Sequence, residues 1–291
     1  MDNFIYQVLL GIATGGIYAA LALALVMIYQ STHHINFAQG EMAMFATFVA
    51  WTLIQSGIMP YWAVFAVVVA GSFVVGMAMQ RIIVHPLSKA PALTNVILFV
   101  ALLLIFNSLA GWLFGYTIRS FPSPFREDGP LHLGLLSAHH VGATLVTLAM
   151  LALVYGFFNL TPLGLAVRAA ALNPVSARLV GIKVNRMLAL GWGLAAAIGA
   201  VAGMMIAPVV FLDPNMMMGV LLYGFAGALL GGINSPWGAV AGGFIVGILE
   251  NLAGTYLVGT ELKLTVALVA IVAVLIVRPH GLFGQPIHNR V

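Results

Sequence analysis

The chain contains no cysteine. That excludes disulfides, thiol catalysis and cysteine-ligated metals, and it leaves the redox compartment open. Charge is almost as scarce: only 6% of the 291 residues are Asp, Glu, Lys or Arg, against about 25% in soluble proteins. With 62% hydrophobic residues and a mean hydropathy of +1.09, this is not a soluble globular domain. Several catalytic signatures are also missing. There is no Gly-x4-Gly-Lys-[Ser/Thr] loop to cradle a nucleotide phosphate, no His-Glu-x2-His and no Gly-x-Ser-x-Gly, so nucleotide binding and hydrolase chemistry lack their usual carriers. The sequence pI is near 9.6, but a formal charge of +4 spread over loops is the ordinary bias of membrane proteins. No nucleic-acid partner is expected.

What the chain does have is long apolar runs. A helix needs about 20 apolar residues to cross a ~30 Å hydrocarbon core. Charge-free stretches of that length recur at 3–40, 42–80, 90–118, 129–167, 187–212 and 214–249. The expected fold is all-α: one polytopic membrane domain over 1–291, with about eight or nine transmembrane helices. The pattern predicts helices over about 5–29, 41–56, 61–80, 93–115, 140–160, 187–207 (stopped by Pro208), 216–233, 238–258 and 261–277. The polar stretch 31–40 and the short piece 216–233 are candidates for broken or re-entrant segments. The first run follows Met1-Asp2-Asn3, without a basic leader or a small-residue cleavage site, and is expected to be a retained helix.

One stretch departs from this background. Residues 161–186 hold Arg168, Arg178, Lys183 and Arg186 and no acid. Thr161-Pro162 and Asn173-Pro174 each pair an N-cap residue with proline at the first helical position, and Gly181 suits a left-handed stop. Two short helices joined at Asn173 are expected there, outside the lipid. Orientation follows from the basic residues. One side collects Arg81, Lys89, Arg168, Arg178, Lys183, Arg186, Arg278 and Arg290; the other keeps Arg119, Arg126 and Lys263. Eight against three places the 161–186 segment and the C-terminus in the cytoplasm and the 116–138 loop outside.

Small residues and isolated polar groups supply the remaining candidates. Gly199/Gly203, Gly227/Gly231, Gly238/Gly242 and Gly243/Gly247 have the Gly-x3-Gly spacing that lets helices approach closely in lipid. They serve either packing within the chain or a subunit interface or gap. Glu41 stands at a helix start, where the dipole favours an anion. Glu250 lies deep within a run, and an ionisable group there is costly. Asp213, in Asp-Pro-Asn, suits a turn. His33-His34 lack a third ligand in sequence, and no metal is expected. Asn36-x3-Gly40 and Asn234-x3-Gly238 echo one another weakly. Three classes of function fit: a permease subunit driven by a separate ATPase, an ion-coupled secondary transporter, and an intramembrane enzyme. The enzyme lacks paired acids or a nucleophile–base pair. The secondary transporter has few acids within its spans. The permease calls for a docking segment outside the membrane, and 161–186 supplies one.

Motifs along nearly the whole chain resemble one family. Ile35-Asn36-Phe37-Ala38-Gln39-Gly40-Glu41, then Arg168-Ala-Ala-Ala-Leu-Asn173-Pro-x2-Ala177-x3-Gly181-Ile182, then Gly231-Gly232-x3-Pro236-x-Gly238, and finally Arg278-Pro279-x-Gly281-Leu282-Phe283-Gly284 are similar to the permeases of branched-chain amino acid ABC transporters, and the length resembles the shorter of the family's two permease subunits. The resemblance implies a transport subunit rather than an enzyme, importing an amino acid by alternating access across a bacterial inner membrane; relatives carry urea, short amides or aromatic acids. It implies a second permease subunit, two cytoplasmic ATPase subunits carrying the ATP and Mg, and an extracytoplasmic solute-binding protein, with no cofactor in this chain. It further implies ATPase coupling through Arg168, Asn173, Ala177, Arg178, Gly181 and Ile182. The translocation path would run past Asn36, Phe37, Gln39, Gly40, Glu41, Gly231, Gly232, Asn234 and Gly238.

Overall fold

In the computed structural model, residues 2–88, 90–127, 136–257 and 259–284 are described. Lys89 and Arg290, used in the charge count, lie outside them. The described residues form α-helices with a π turn and a short 3-10 turn, and a single bridge between Arg119 and Leu212 is their only β pairing. The helices are α1 (Asp2–Thr32), α2 (Gln39–Gln55), α3 (Tyr61–Met79), α4 (Ala92–Phe114), α5 (Ala138–Leu160), α6 (Pro162–Leu172), α7 (Pro174–Leu179), α8 (Val184–Val210), α9 (Met216–Gly231), α10 (Pro236–Tyr256) and α11 (Lys263–Val277). Six of them (α1, α3 with its π turn, α4, α5, α8 and α10) are long and apolar enough to cross a membrane. α2, α9 and α11 are shorter, at 17, 16 and 15 residues. Apolar side chains on α3 and α4 stay largely exposed, among them Val74, Ile97 and Leu104; in lipid such faces need no cover.

Two boundaries differ from the sequence expectation. Pro208 does not end α8, which continues to Val210. A proline this close to the end removes one hydrogen bond and disturbs only the last turn; the stop comes at Phe211, whose φ is +65°. α10 begins at Pro236, because Ser235 is its N-cap and accepts a hydrogen bond from the Gly238 N–H at 3.1 Å.

The chain divides into two compact units. The first holds residues 1–26, 125–145 and 219–291, the second 27–124 and 146–218. In the second unit, α8 is the central post, packed most extensively against α3 and α2. Small residues set these distances: a Cβ on Gly193 would fall 2.8 Å from the Phe73 carbonyl oxygen, and one on Gly76 2.6 Å from the Trp192 oxygen. The two ends of this unit differ chemically. At one end, the Arg119 guanidinium lies 4.4 Å from the Trp51 ring centre, and Arg119 also donates to the Phe114 oxygen and pairs with Leu212. The other end carries Arg81, Arg168, Arg178, Lys183 and Arg186, all exposed.

In the first unit, glycine meets glycine. A Cβ on Gly11 would fall 2.7 Å from the Ile248 Cα, and one on Gly227 2.6 Å from the Gly243 Cα, while Gly247 abuts Gly15 and Gly243 abuts Ala19. α1, α9 and α10 therefore touch backbone to backbone, and the packing alternative for these spacings is the one observed. A polar cluster lies in the same unit: Tyr18 and Tyr223 stack at 4.9 Å, and the Asn251 amide donates to Thr14 Oγ1 at 3.0 Å. Glu250, beside Asn251 on α10, is buried.

A prediction follows from the glycine contacts. Gly243→Val places a branched side chain against the α1 backbone and should destabilise the protein by about 1–3 kcal/mol or more. Gly219→Ala on α9, where a Cβ would meet nothing within 4 Å, should be neutral or mildly stabilising. Thermal unfolding in detergent checks both; equal midpoints would contradict the packing described.

Candidate functional site

The segment after α5 is built by local hydrogen bonds. Thr161 Oγ1 accepts from the Gly164 N–H at 3.0 Å and donates to the Phe157 oxygen at 2.6 Å, so it caps α6 and ties it to the end of α5. Gly164 sits on the Phe157–Phe158 backbone, where a Cβ would not fit. Asn173 ends α6 and starts α7, its Oδ1 accepting from the Ser176 N–H at 3.0 Å. α7 then closes in a Schellman motif: the Ile182 N–H donates to the Ala177 oxygen and the Gly181 N–H to the Arg178 oxygen, both at 3.0 Å, with Gly181 at φ +83°. The hydrophobic contact that accompanies this motif is present, since Ile182 packs on a small core of Ala170, Ala177 and Val184.

Each residue expected to act in coupling therefore has a definite place. Arg168 and Arg178 are exposed, with Arg168 donating to Asn159 Oδ1 at 3.3 Å. Ala177 is buried and Ile182 half-buried; they hold the two short helices together rather than forming their outer surface. Asn173 is a cap, and Gly181 is a backbone requirement. Sequence reasoning missed the apolar tip: Leu172, Val175, Leu179 and Val180 are 79%, 68%, 83% and 76% exposed. In a chain apolar throughout, nothing marked these four except their spacing around two helix caps.

The second candidate is the break between α1 and α2. The last turn of α1, at Met27, Gln30 and Ser31, shares a cavity with Arg168 of α6 and with Met187 and Leu188 of α8, which puts it at the basic end of the second unit. Gln39, the first residue of α2, donates through Nε2 to the Ala195 oxygen at 2.9 Å. Ala195 stands eleven residues into α8 (195 minus 184), roughly 16 Å along the helix at 1.5 Å per residue, or about half the depth of a bilayer core. The stretch 34–38 thus climbs from the end of the unit to the level of Ala195 without helical bonding. Non-helical backbone at that depth needs protein cover, and Asn36, Ala38 and Gln39 are fully buried. Asn36 Oδ1 accepts from the Ala38 N–H at 3.0 Å. Gly199 is open so that Gln39 Nε2 can occupy the space of a Cβ, and Gly203 is open for Thr47.

Further along α2 and α4, the Asn107 amide donates to the Pro214 oxygen at 2.9 Å, Asn215 Oδ1 at 3.1 Å and Glu41 Oε2 at 3.4 Å, while Asp213 Oδ1 accepts from the Asn215 N–H at 2.6 Å. Asp213 is therefore a turn former. Glu41 is buried and belongs to this network beyond its place at a helix start. Phe37 is partly exposed and Gly40 buried. Alongside, a cavity of about 280 Å³ lies among α2, α3, α4 and α8, with Ser72 its only polar lining residue.

In the third group, Gly231 lies on the Gly238 backbone, and Gly232, at φ +112°, lies against Gly284 and the His280 oxygen. The Leu282 and Phe283 N–H groups donate to the Leu230 and Gly231 oxygens at 2.8 and 3.0 Å. The C-terminal motif is thereby a clamp on the α9–α10 turn. The Cβ positions of Gly231, Gly232 and Gly238 are filled by neighbouring atoms, and Asn234 alone of that group is exposed. The Asn36 and Asn234 breaks also differ: Asn36 Oδ1 closes a turn on the Ala38 N–H and α2 has no side-chain cap, whereas Ser235 caps α10. Among the described residues no three metal-ligating side chains cluster.

Comparison with known proteins matches most of the chain to one family. The sequence model described as branched-chain amino acid transport system / permease component matches residues 7–275. The chain is 30% identical to the high-affinity branched-chain amino acid transport system permease protein LivH of Escherichia coli (strain K12), covering 97% of this chain and 96% of that one. It is 30% identical, over 91% of this chain and 87% of the other, to the probable branched-chain amino acid transport permease protein LivH of Methanocaldococcus jannaschii. It is 26% identical, over 98% and 97%, to the permease protein BraD of Pseudomonas aeruginosa. The buried break between α1 and α2, the capped pair of short helices at the basic end and the glycine-packed first unit all lie in a multi-pass membrane chain that belongs to the family of branched-chain amino acid transport system permease components.

Proposed function

We propose that this chain is the membrane-spanning subunit of an ATP-driven importer, and that α6–α7 is the surface on which an ATPase subunit docks. One observation carries this: the two short helices and the turn after them expose four apolar residues, Leu172, Val175, Leu179 and Val180, in the same stretch of chain as the exposed cations Arg168, Arg178 and Lys183. Exposed apolar residues among charges suit a protein partner and not the lipid core. The chain has no phosphate-cradling loop of its own, so the energy of ATP must enter from another subunit. Two ATPase subunits with ATP and Mg, a second permease subunit and an extracytoplasmic solute-binding protein complete the assembly. The basic excess supports a bacterial inner-membrane orientation with α6–α7 and the C-terminus on the cytoplasmic side.

The substrate is a small amino acid, most simply a branched-chain one, as the relatives' names suggest. Its path runs past the Asn36–Glu41 break, where polar groups reach mid-depth. Affinity resides chiefly in the binding protein. ATP binding drives the switch between outward- and inward-facing states by favouring one of them, and the tight α6–α7–α8 core transmits the movement to α8, against which α2 is seated.

Two predictions test this. Leu179→Asp or Arg178→Glu should lower ATP-dependent uptake of labelled leucine by about tenfold, the effect of ~1.4 kcal/mol, while the protein stays in the membrane and ATP hydrolysis persists. Normal uptake would reduce the segment to a basic topogenic loop. At Gly181 the obstacle is backbone and not space, since a Cβ would meet nothing within 4 Å. Gly181→Val should therefore lose coupling, whereas Gly181→Asn, which tolerates the left-handed region, should retain most of it. Equal loss in both would point to a direct contact at this position.

A further inference from the structure

Beneath α7 the second unit holds a cavity of about 320 Å³ that the transport reading does not use. Its walls come from the end of α1, the turn after α3, the first turns of α4 and α8, and α7 itself. α3 ends here in a π turn, Gln80–Val84, in which the His85 N–H reaches back five residues to the Gln80 oxygen at 2.7 Å; such turns often mark functional positions. The three apolar spans that border the cavity all stop or start at this level, α3 with its π turn at Val84, α4 at Ala92 and α8 at Val184. The cavity therefore lies where the headgroups of a bilayer lie.

Much of its polar lining is within reach of a guest: His33, His85, Ser88, Arg178 and Asn185 all line the space and are exposed. His33 holds a left-handed φ of +55° just past α1, with its N–H still donating to the Tyr29 oxygen at 2.7 Å. The His85 ring accepts at Nε2 from the Asn185 amide at 3.1 Å, which leaves the ring proton on Nδ1 as a donor. Arg178 adds a guanidinium fork and Ser88 a hydroxyl. No described lining residue is an acid, and the sequence holds none in 42–126 or 129–212. The charge of Arg178 is thus unmatched within the cavity, and the donors around it suit an anion. A phosphate group offers three oxygens in an arrangement that a guanidinium matches in pairs. The volume, at the small end of ligand pockets of about 300 to 1,000 Å³, leaves room beside Pro174 and Leu188 for whatever the phosphate is esterified to.

We propose that this cavity is a binding site for a phosphate group, supplied by an anionic phospholipid headgroup or by a free phosphate compound. Arg178 provides the cation, and His85 and Ser88 donate from the turn after α3. Basic pockets between membrane helices at the headgroup level recognise anionic lipids in this way. A bound phosphate ties α7 to the end of α3. For an ATPase docked on α7 the occupied site is a brace from behind, and that consequence alone rests on the transport reading.

The test uses the full chain in alkyl maltoside micelles, which contain no phosphate, with radiolabelled inorganic phosphate and phosphatidylglycerol as separate probes. Saturable binding of at least one probe is expected in the wild type. It should weaken by about tenfold in Arg178→Met and in His85→Gln, while Arg178→Lys, which keeps the charge, retains most of it. Arg186→Met removes an exposed cation at the same end that does not line the cavity, and should bind as the wild type does. Displacement of phosphate by phosphatidylglycerol, or binding of the lipid alone, assigns the site to a headgroup; phosphate binding that the lipid leaves intact assigns it to a free phosphate compound. Saturable binding of neither probe, binding unchanged in Arg178→Met and His85→Gln, or equal loss in Arg186→Met and Arg178→Met overturns the proposal. The assay needs neither ATPase nor solute-binding protein, so its failure leaves the transport reading standing, and a failure of uptake leaves the site standing.

Discussion

In hydrocarbon every backbone N–H and carbonyl must find a partner within the protein, and this structure depends on how that demand is met where α1 gives way to α2. The chain leaves helical bonding from residue 34 to 38 and still rises to the level of Ala195. It can do so because Asn36 bonds its own turn, Gln39 bonds the α8 backbone, and both are sealed from solvent. α8 supplies the cover by giving up side chains: Gly199 and Gly203 are slots for Gln39 and Thr47. The helix that seats the break is also the one into which α6 and α7 lead, so the polar interior and the surface proposed for docking share one element.

Glycine does three separate jobs here. In α8 it makes room for polar side chains from α2. Among α1, α9 and α10 it brings backbones into contact where lipid offers no hydrophobic drive for association. At Gly181 it permits a left-handed turn that closes α7. The same spacing, Gly-x3-Gly, occurs in the first two settings, so spacing alone does not distinguish a slot for a side chain from backbone-to-backbone packing.

Much of the fold was legible in the sequence because its signals are local. Apolar runs, the Thr161-Pro162 and Asn173-Pro174 starts and the glycine stop are each set by a few neighbouring residues, and the helices lie close to where those signals put them. The departures are non-local or depend on position within an element. Pro208 falls too near the end of α8 to break it. The clamp of Leu282 and Phe283 on Leu230 and Gly231 joins segments some fifty residues apart. The exposed tip of Leu172, Leu179 and Val180 was hidden because apolar residues carry little information in a chain built of them. The break at Asn36 was visible as polarity, but its depth required the bond to Ala195.

The chain's lack of cysteine opens the most direct test of the docking assignment. Leu179→Cys, placed in the otherwise thiol-free chain and assembled with its ATPase subunits, can be probed by a short bifunctional thiol reagent. A cross-link from position 179 to the ATPase, with none from Ile118→Cys at the opposite end of the same unit, is the predicted result. A cross-link from Ile118→Cys and none from Leu179→Cys would contradict the account.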